Sequence, residues 1–126
     1  MIVPAFIARR FYVPGSLRND SDGFSLQAHN PIGDGTVVGV GRIAVDGQVV
    51  DPGRISAMRD GDASPISATE VTRYQPIRVS RGDRVTLHVS GPALASGEHL
   101  LEVELFERDL GALRFALREP VATPEP

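Results

Sequence analysis

Three histidines, His29, His88 and His99, are the residues of this chain most suited to binding a transition metal. Imidazole nitrogens are common zinc ligands, and three of them suffice for a catalytic site with one open position. The three lie far apart in the sequence, without the HxH or HExxH spacing that directs two imidazoles toward one ion. We therefore predict three separate surface or strand-end histidines and no metal site. A metal enzyme built on them remains a third hypothesis for the function.

Acidic side chains are numerous, but their spacing does not form a catalytic set. Glu102 and Glu104 alternate on one predicted strand, so their carboxylates face the same side about 7 Å apart. Such a pair is compatible with acid/base catalysis, although a solvated strand face explains it more simply. No Ser lies in a G-x-S-x-G nucleophile elbow. We predict no catalytic residue in this chain.

One segment near the start of the chain combines arginine with aromatic residues. Arg9 and Arg10 directly precede Phe11 and Tyr12, and Arg18 follows a Pro-Gly pair. Arg and aromatic side chains are enriched at interfaces, and the Arg fork suits carboxylates. We predict that these five residues bind a substrate or a partner. The alternative is a loop whose Arg stems pack on a sheet.

The elements that must position these residues are predicted to be short antiparallel strands. Asp-Gly pairs begin at residues 22, 34, 46 and 60, and Asp-Gly suits tight turns because both residues tolerate positive φ. Apolar and polar residues alternate between the turns, which is typical of strands with one face in water. Specific expectations are a first strand over Met1–Ile7, a hairpin over Val45–Val49, a loop with a short strand over Ile55–Ser67, and two strands over Leu105–Leu117 joined at Asp109–Gly111.

These patterns predict a single-domain, all-β protein, an antiparallel β-sandwich of about eight to ten strands. The sandwich is expected over residues 1–118 and a flexible C-terminal tail over residues 119–126, where three prolines occur. The chain has 126 residues, which suits one domain.

The composition excludes several classes of function. The chain contains no Cys and no Lys, so thiolate, iron–sulfur, Schiff-base and P-loop lysine chemistry are ruled out. Its net charge of −3 argues against nucleic-acid binding, and no apolar run is long enough to span a membrane. The first apolar stretch has no basic residue ahead of it, unlike a signal peptide. The cytoplasm is the expected location.

The order of several segments resembles a known family, the small (β) subunit of bacterial C-glycoside deglycosidases. The similarity extends over about residues 17 to 118 and rests on the order of short motifs more than on any single one of them. These motifs are Leu17–Asn19, Gly23–Gln27, Val40–Gly47, Val79–Asp83, Leu94–His99 and Leu110–Phe115.

The resemblance implies a subunit of a heteromeric lyase that cleaves the carbon–carbon bond of 3-oxo C-glycosides, with flavonoid or anthraquinone aglycones. It implies a TIM-barrel α subunit of the sugar isomerase/epimerase type as the partner. It also implies a divalent metal, expected to be manganese, in that partner and no cofactor in this chain. The second hypothesis is a stand-alone β-sandwich module that binds a carbohydrate or a protein.

Overall fold

The computed structural model describes residues 1–122, which form one α-helix, two 3₁₀ helices and ten strands. Helix α1 spans Ala5–Phe11, and the 3₁₀ helices span Pro52–Arg54 and Ala68–Glu70. The strands are β1 Arg18–Asp20, β2 Gly23–His29, β3 Gly35–Val45, β4 Gln48–Val49, β5 Ile55–Arg59, β6 Ile66–Ser67, β7 Ile77–Val79, β8 Arg84–Ser90, β9 Glu98–Glu107 and β10 Gly111–Pro120.

The strands form two sheets packed face to face. One sheet has the order β1-β2-β8-β5-β6, and the other has the order β10-β9-β3-β4, with β7 paired to the start of β3. Every pair of these strands is antiparallel. The prediction of a single all-β antiparallel sandwich is therefore confirmed.

The predicted hairpins follow from turn chemistry. Asp46 and Gly47 both have positive φ, 52° and 83°, as a two-residue type I′ turn requires, and they join β3 to β4. The segment over Leu105–Leu117 divides into β9 and β10, as predicted, with the turn just before Gly111. The region over Ile55–Ser67 contains two short strands, β5 and β6, instead of one.

The prediction of a first strand over Met1–Ile7 is wrong. Only Met1–Val3 is extended, pairing in parallel along the edge of β10 through Ile2 and Arg114. Pro4 cannot donate to the ladder, and its fixed φ suits the start of a helix. The chain turns at Pro4 into α1, which completely buries Ala8.

The hydrophobic core fills only one end of the sandwich, which we call the core end. It lies where β2 and β9 begin and where β3 and β8 finish. The buried cluster contains Tyr12, Leu17, Phe24, Ile43, Val50, Ile55, Ala68, Val89 and Leu101. The opposite end, where β2 and β9 finish and where β3, β8 and β10 begin, is open.

The last strand extends into the predicted tail. β10 ends at Pro120, and the N–H groups of Val121 and Ala122 donate to the carbonyls of Gly97 and Leu17 at 3.0 and 2.7 Å. The rest of the predicted tail, residues 123–126, lies outside the described residues. Within residues 1–122, α1 is far too short to cross a bilayer, and no other helix could do so.

Candidate functional site

A cleft of about 450 Å³ opens between the two sheets at the end opposite the core. Its walls are mostly apolar and include Ala28, Val40, Ala57, Leu87, Leu105 and Leu113. At its mouth, Ile32 and Leu110 are exposed by 63% and 60%. Clefts of roughly 300–1,000 Å³ with apolar walls are typical sites for small organic ligands.

The cleft exists because inward-facing side chains become smaller along two strands. On β2 the inward series runs from Phe24 in the core through Leu26 to Ala28 in the cleft. On β5 it runs from Ile55 in the core to Ala57 in the cleft. Protein interiors are normally packed without large voids, so methyl side chains at inner positions of these two strands of one sheet leave space between the sheets there.

Hydrogen bonds hold the loop at the cleft mouth in place. The Asn30 side chain donates to the carbonyls of Gly33 and Val79 at 2.5 and 3.3 Å, and its Oδ1 accepts from the N–H groups of Ile32 and Gly33. The Asn30 backbone N–H also donates to the Asp83 carbonyl at 3.0 Å. The loop between β2 and β3 is thus tied to β7 and to the turn before β8, which gives the cleft a preformed rim.

All the formally charged side chains that line the cleft are acidic. They are Asp34, Asp83, Glu107 and Asp109, and no Arg lines it among the described residues. Backbone groups hold Glu107: Thr36 N–H donates to Oε2 at 2.9 Å, and Asp109 and Leu110 N–H groups donate to Oε1 at 2.8 and 3.0 Å. The hydrogen bond from Thr36 is the largest cause that lowers the Glu107 pKa, while burial opposes it. Glu107 is therefore a fixed negative charge at neutral pH.

His29 also lies on the cleft wall, at the end of β2. Its Nδ1 atom is buried and is the single buried side-chain polar atom without a hydrogen-bond partner across residues 1–122. The sequence predicts a surface or strand-end histidine here; His29 does end its strand, and the structure adds that it borders the cleft.

The five residues predicted to bind a substrate or partner do not form one surface. Arg9 and Arg10 are exposed on α1, and Arg18 is exposed on β1. Phe11 lines the cleft and packs edge-to-face on Phe115, with ring centroids 5.4 Å apart. A partner-binding role for these four stays a prediction.

Tyr12 lies in the core instead of on a binding surface. It is 4% exposed, and its hydroxyl accepts a hydrogen bond from Leu17 N–H at 3.1 Å. The main effect of truncating Tyr12 would therefore be to lower the stability of the fold, and not to weaken a binding interface.

The three histidines are not brought together. His88 contacts Asp20 at 3.1 Å, and His99 contacts Asp46 at 2.6 Å, while His29 lies at the cleft. In the part of the chain that the structure describes, no three His or acidic residues are grouped closely enough to hold a metal ion. The hypothesis of an independent metal enzyme finds no support in this arrangement.

His99 is a structural residue with two acceptors. Its Nδ1 lies 2.6 Å from Asp46 Oδ2 and its Nε2 lies 2.7 Å from the Ala95 carbonyl, while the residue is only 8% exposed. A neutral imidazole donates from one nitrogen only, so both contacts are hydrogen bonds only in the protonated ring. The Ala95 carbonyl, followed by the Asp46 carboxylate, raises the His99 pKa.

The Glu102 and Glu104 pair is explained by ion pairs on a strand face. Arg114 donates to Glu104 at 2.7 Å, and Arg42 lies 3.6 Å from Glu102. The Arg114 contact is the largest cause that lowers the Glu104 pKa, so this carboxyl is unsuited to act as an acid at neutral pH.

Sequence reasoning missed the cleft, although one signal for it was present. The decreasing size of the inward residues in Phe24–Ala28 is visible in the sequence. Its importance becomes clear only in the folded sheet, where β5, on the other side of β8, shows the same decrease toward the same end.

A comparison with protein-family models matches residues 7–122 to the hydroxymethylglutaryl-CoA reductase N-terminal domain. No curated protein matches the chain. The family match extends over nearly all of the described residues, including both sheets and the cleft.

This match overturns the resemblance to the small subunit of C-glycoside deglycosidases, and with it the predicted lyase function. The stand-alone carbohydrate- or protein-binding module is likewise unsupported. The motifs behind the resemblance have structural explanations here: Val40–Gly47 is the end of β3 with its turn, and His99 is bonded to Asp46. The TIM-barrel partner and its divalent metal rested on the same resemblance and stay predictions.

Proposed function

We propose that this chain, which belongs to the hydroxymethylglutaryl-CoA reductase N-terminal domain family, is a ligand-binding domain of such a protein. The cleft between the sheets receives a small apolar ligand or an apolar part of one. The reduction itself takes place in another part of the protein or of its assembly. The cytoplasm is the proposed location.

The observation that carries this proposal is the open, apolar end of the sandwich. The cleft is large enough for a small organic molecule, has a rim held by side-chain hydrogen bonds, and exposes Ile32 and Leu110 at its mouth. Leaving so much apolar surface accessible is unfavourable in water, and an apolar ligand would remove part of it from solvent.

The acidic wall indicates what the cleft does not bind. The phosphates of a coenzyme A nucleotide are strongly negative, and four carboxylates line the cleft without an Arg among the described lining residues. Like charges repel most strongly beside an apolar wall, where water screens them poorly. The cleft is therefore proposed to serve a ligand other than the nucleotide of hydroxymethylglutaryl-CoA.

Binding of a neutral apolar dye tests the proposal. N-phenyl-1-naphthylamine becomes strongly fluorescent in apolar sites, and we expect saturable binding to the purified chain. Ala28→Leu should weaken that binding at least about tenfold, because the larger side chain occupies the cleft.

Ala116→Leu is the matched control. Ala116 is exposed on β10 and does not line the cleft, so the same added surface should leave dye binding unchanged. The proposal would be contradicted if Ala28→Leu bound the dye as tightly as the wild type. It would also be contradicted if Ala28→Leu and Ala116→Leu lost dye affinity to the same extent.

A further inference from the structure

We infer that the cleft selects ligands that join an apolar body to a positively charged group, such as an ammonium or guanidinium. This inference rests on the proposed function and adds the chemical class of the ligand. It follows from the combination of apolar walls with a rim whose formal charges are all negative.

The negative charge is concentrated at the cleft. The whole chain has a net charge of −3, whereas the lining of the cleft alone has four carboxylates. None of the thirteen Arg residues of the chain lines the cleft, and Arg108 is the one that pairs with a lining carboxylate, Asp109. A concave site with low-dielectric walls focuses the field of such charges and raises the local concentration of cations.

The four carboxylates differ in their availability to a ligand. Glu107 accepts three backbone N–H groups, and Asp83 accepts the Ser80 N–H at 2.7 Å. Both carboxylates therefore hold the rim together through backbone N–H groups. Asp109 lies 3.4 Å from Arg108 in an exposed pair.

Asp34 is the carboxylate best placed to meet a ligand. It is exposed at the mouth, and its side chain has no hydrogen bond or ion pair to any residue between 1 and 122. Together with Asp109, it provides negative charge that can be removed without breaking a backbone hydrogen bond.

A matched set of probes tests the charge selectivity. 3-Phenylpropylamine, 3-phenylpropan-1-ol and 3-phenylpropanoate share one apolar body and are cationic, neutral and anionic at pH 7. In displacement of the bound dye, we expect the amine to bind about tenfold more tightly than the alcohol at low salt, and the carboxylate to bind most weakly. Raising sodium chloride to 1 M should bring the three affinities together, because salt screens exposed charges.

Variants of the acidic residues test which of them cause the charge selectivity. Asp34→Asn combined with Asp109→Asn should reduce the advantage of the amine over the alcohol to about twofold. Glu98→Gln is the control, since Glu98 is an exposed carboxylate at the opposite, core end and should not affect any probe.

The outcomes separate this inference from the proposed function. If the alcohol binds as tightly as the amine, or if the carboxylate binds most tightly, the charge selectivity is refuted while ligand binding in the cleft stands. If no probe displaces the dye, the selectivity is refuted, and the comparison of Ala28→Leu with Ala116→Leu decides the proposed function separately.

Discussion

The ionisable side chains of this chain divide into structural and cleft-lining groups according to their hydrogen bonds. Asp46 accepts the Leu100 N–H and contacts the His99 ring, so it ties the β3–β4 turn to the start of β9. His99 and Asp46 are 53 residues apart in the sequence. The hydrogen bonds of Asp46 and His99 stabilise the core end of the sandwich. The acidic residues that line the cleft lie at the opposite end.

The His99 contacts predict a pH dependence of stability. The Ala95 carbonyl and the Asp46 carboxylate raise the His99 pKa, so this stabilisation is complete below the ordinary histidine value of about 6.5. It is lost as the pH rises through the higher pKa of the folded state. The free energy of unfolding, measured with urea from pH 5.5 to 9, should fall with pH, and His99→Gln should flatten this decline.

The Asp46 carboxylate gives the opposite sign on the acid side. The His99 ring is the largest cause that lowers its pKa, so its stabilisation is present above the ordinary Asp value of about 3.9 and is lost as the pH falls through the lower value. Stability from this pair should therefore be greatest between about pH 4 and 6.5. Glu98→Gln is the control, and its free energy of unfolding should fall with pH above 6 as steeply as that of the wild type. An equally steep fall in His99→Gln would refute the role of the pair.

At the scale of elements, α1 is attached to β10 by aromatic packing and contributes Phe11 to the cleft wall. Phe11, at the end of α1, meets Phe115 edge-to-face at an interplanar angle of 63°. Phe6, on the same helix, is 72% exposed. The two aromatic residues therefore differ in burial while sharing residue type and helix.

Phe11→Ala should destabilise the fold by about 2–3 kcal/mol, because it removes a half-buried ring and its aromatic contact. It should also loosen dye binding, since Phe11 lines the cleft. Phe6→Ala should change the free energy of unfolding by less than about 0.5 kcal/mol. Urea denaturation of the two variants measures this difference, and similar values for both would contradict the docking of α1 through Phe11.

At the scale of the whole molecule, the two ends of the sandwich differ in packing. The core end contains the largest buried side chains, including Leu17 with no exposure, whereas the cleft end leaves about 450 Å³ open between the sheets. Local opening occurs most readily where few apolar contacts are buried.

Hydrogen exchange should report this difference within single strands. Amides of residues 99–103 in β9 should exchange more slowly than those of residues 104–107, because the first group lies over the core and the second over the cleft. Saturation with the apolar dye should slow exchange in the second group, because a bound ligand stabilises the folded state at the cleft end. Uniform exchange along β9, or protection by the dye at the core end alone, would contradict this account.

The amino-acid sequence by itself determined the class of fold and most of its turns. Strand alternation and Asp-Gly turns depend on neighbouring residues, so the β9–β10 pair and the turn at Asp46 and Gly47 could be predicted locally. The helix α1 was missed because its apolar residues follow a short extended stretch, and only Pro4 separates the two.

The functional features were decided by tertiary structure. The burial of Tyr12 depends on a core cluster that it shares with Leu17 and Phe24, and the pairing of His99 depends on Asp46 coming from a distant hairpin. The cleft arises because Ala28 and Ala57 lie at the same end of one sheet, with acidic residues from three separate segments at its rim. No local pattern encodes which strands become neighbours, so only the folded chain could show where the open end of the sandwich lies.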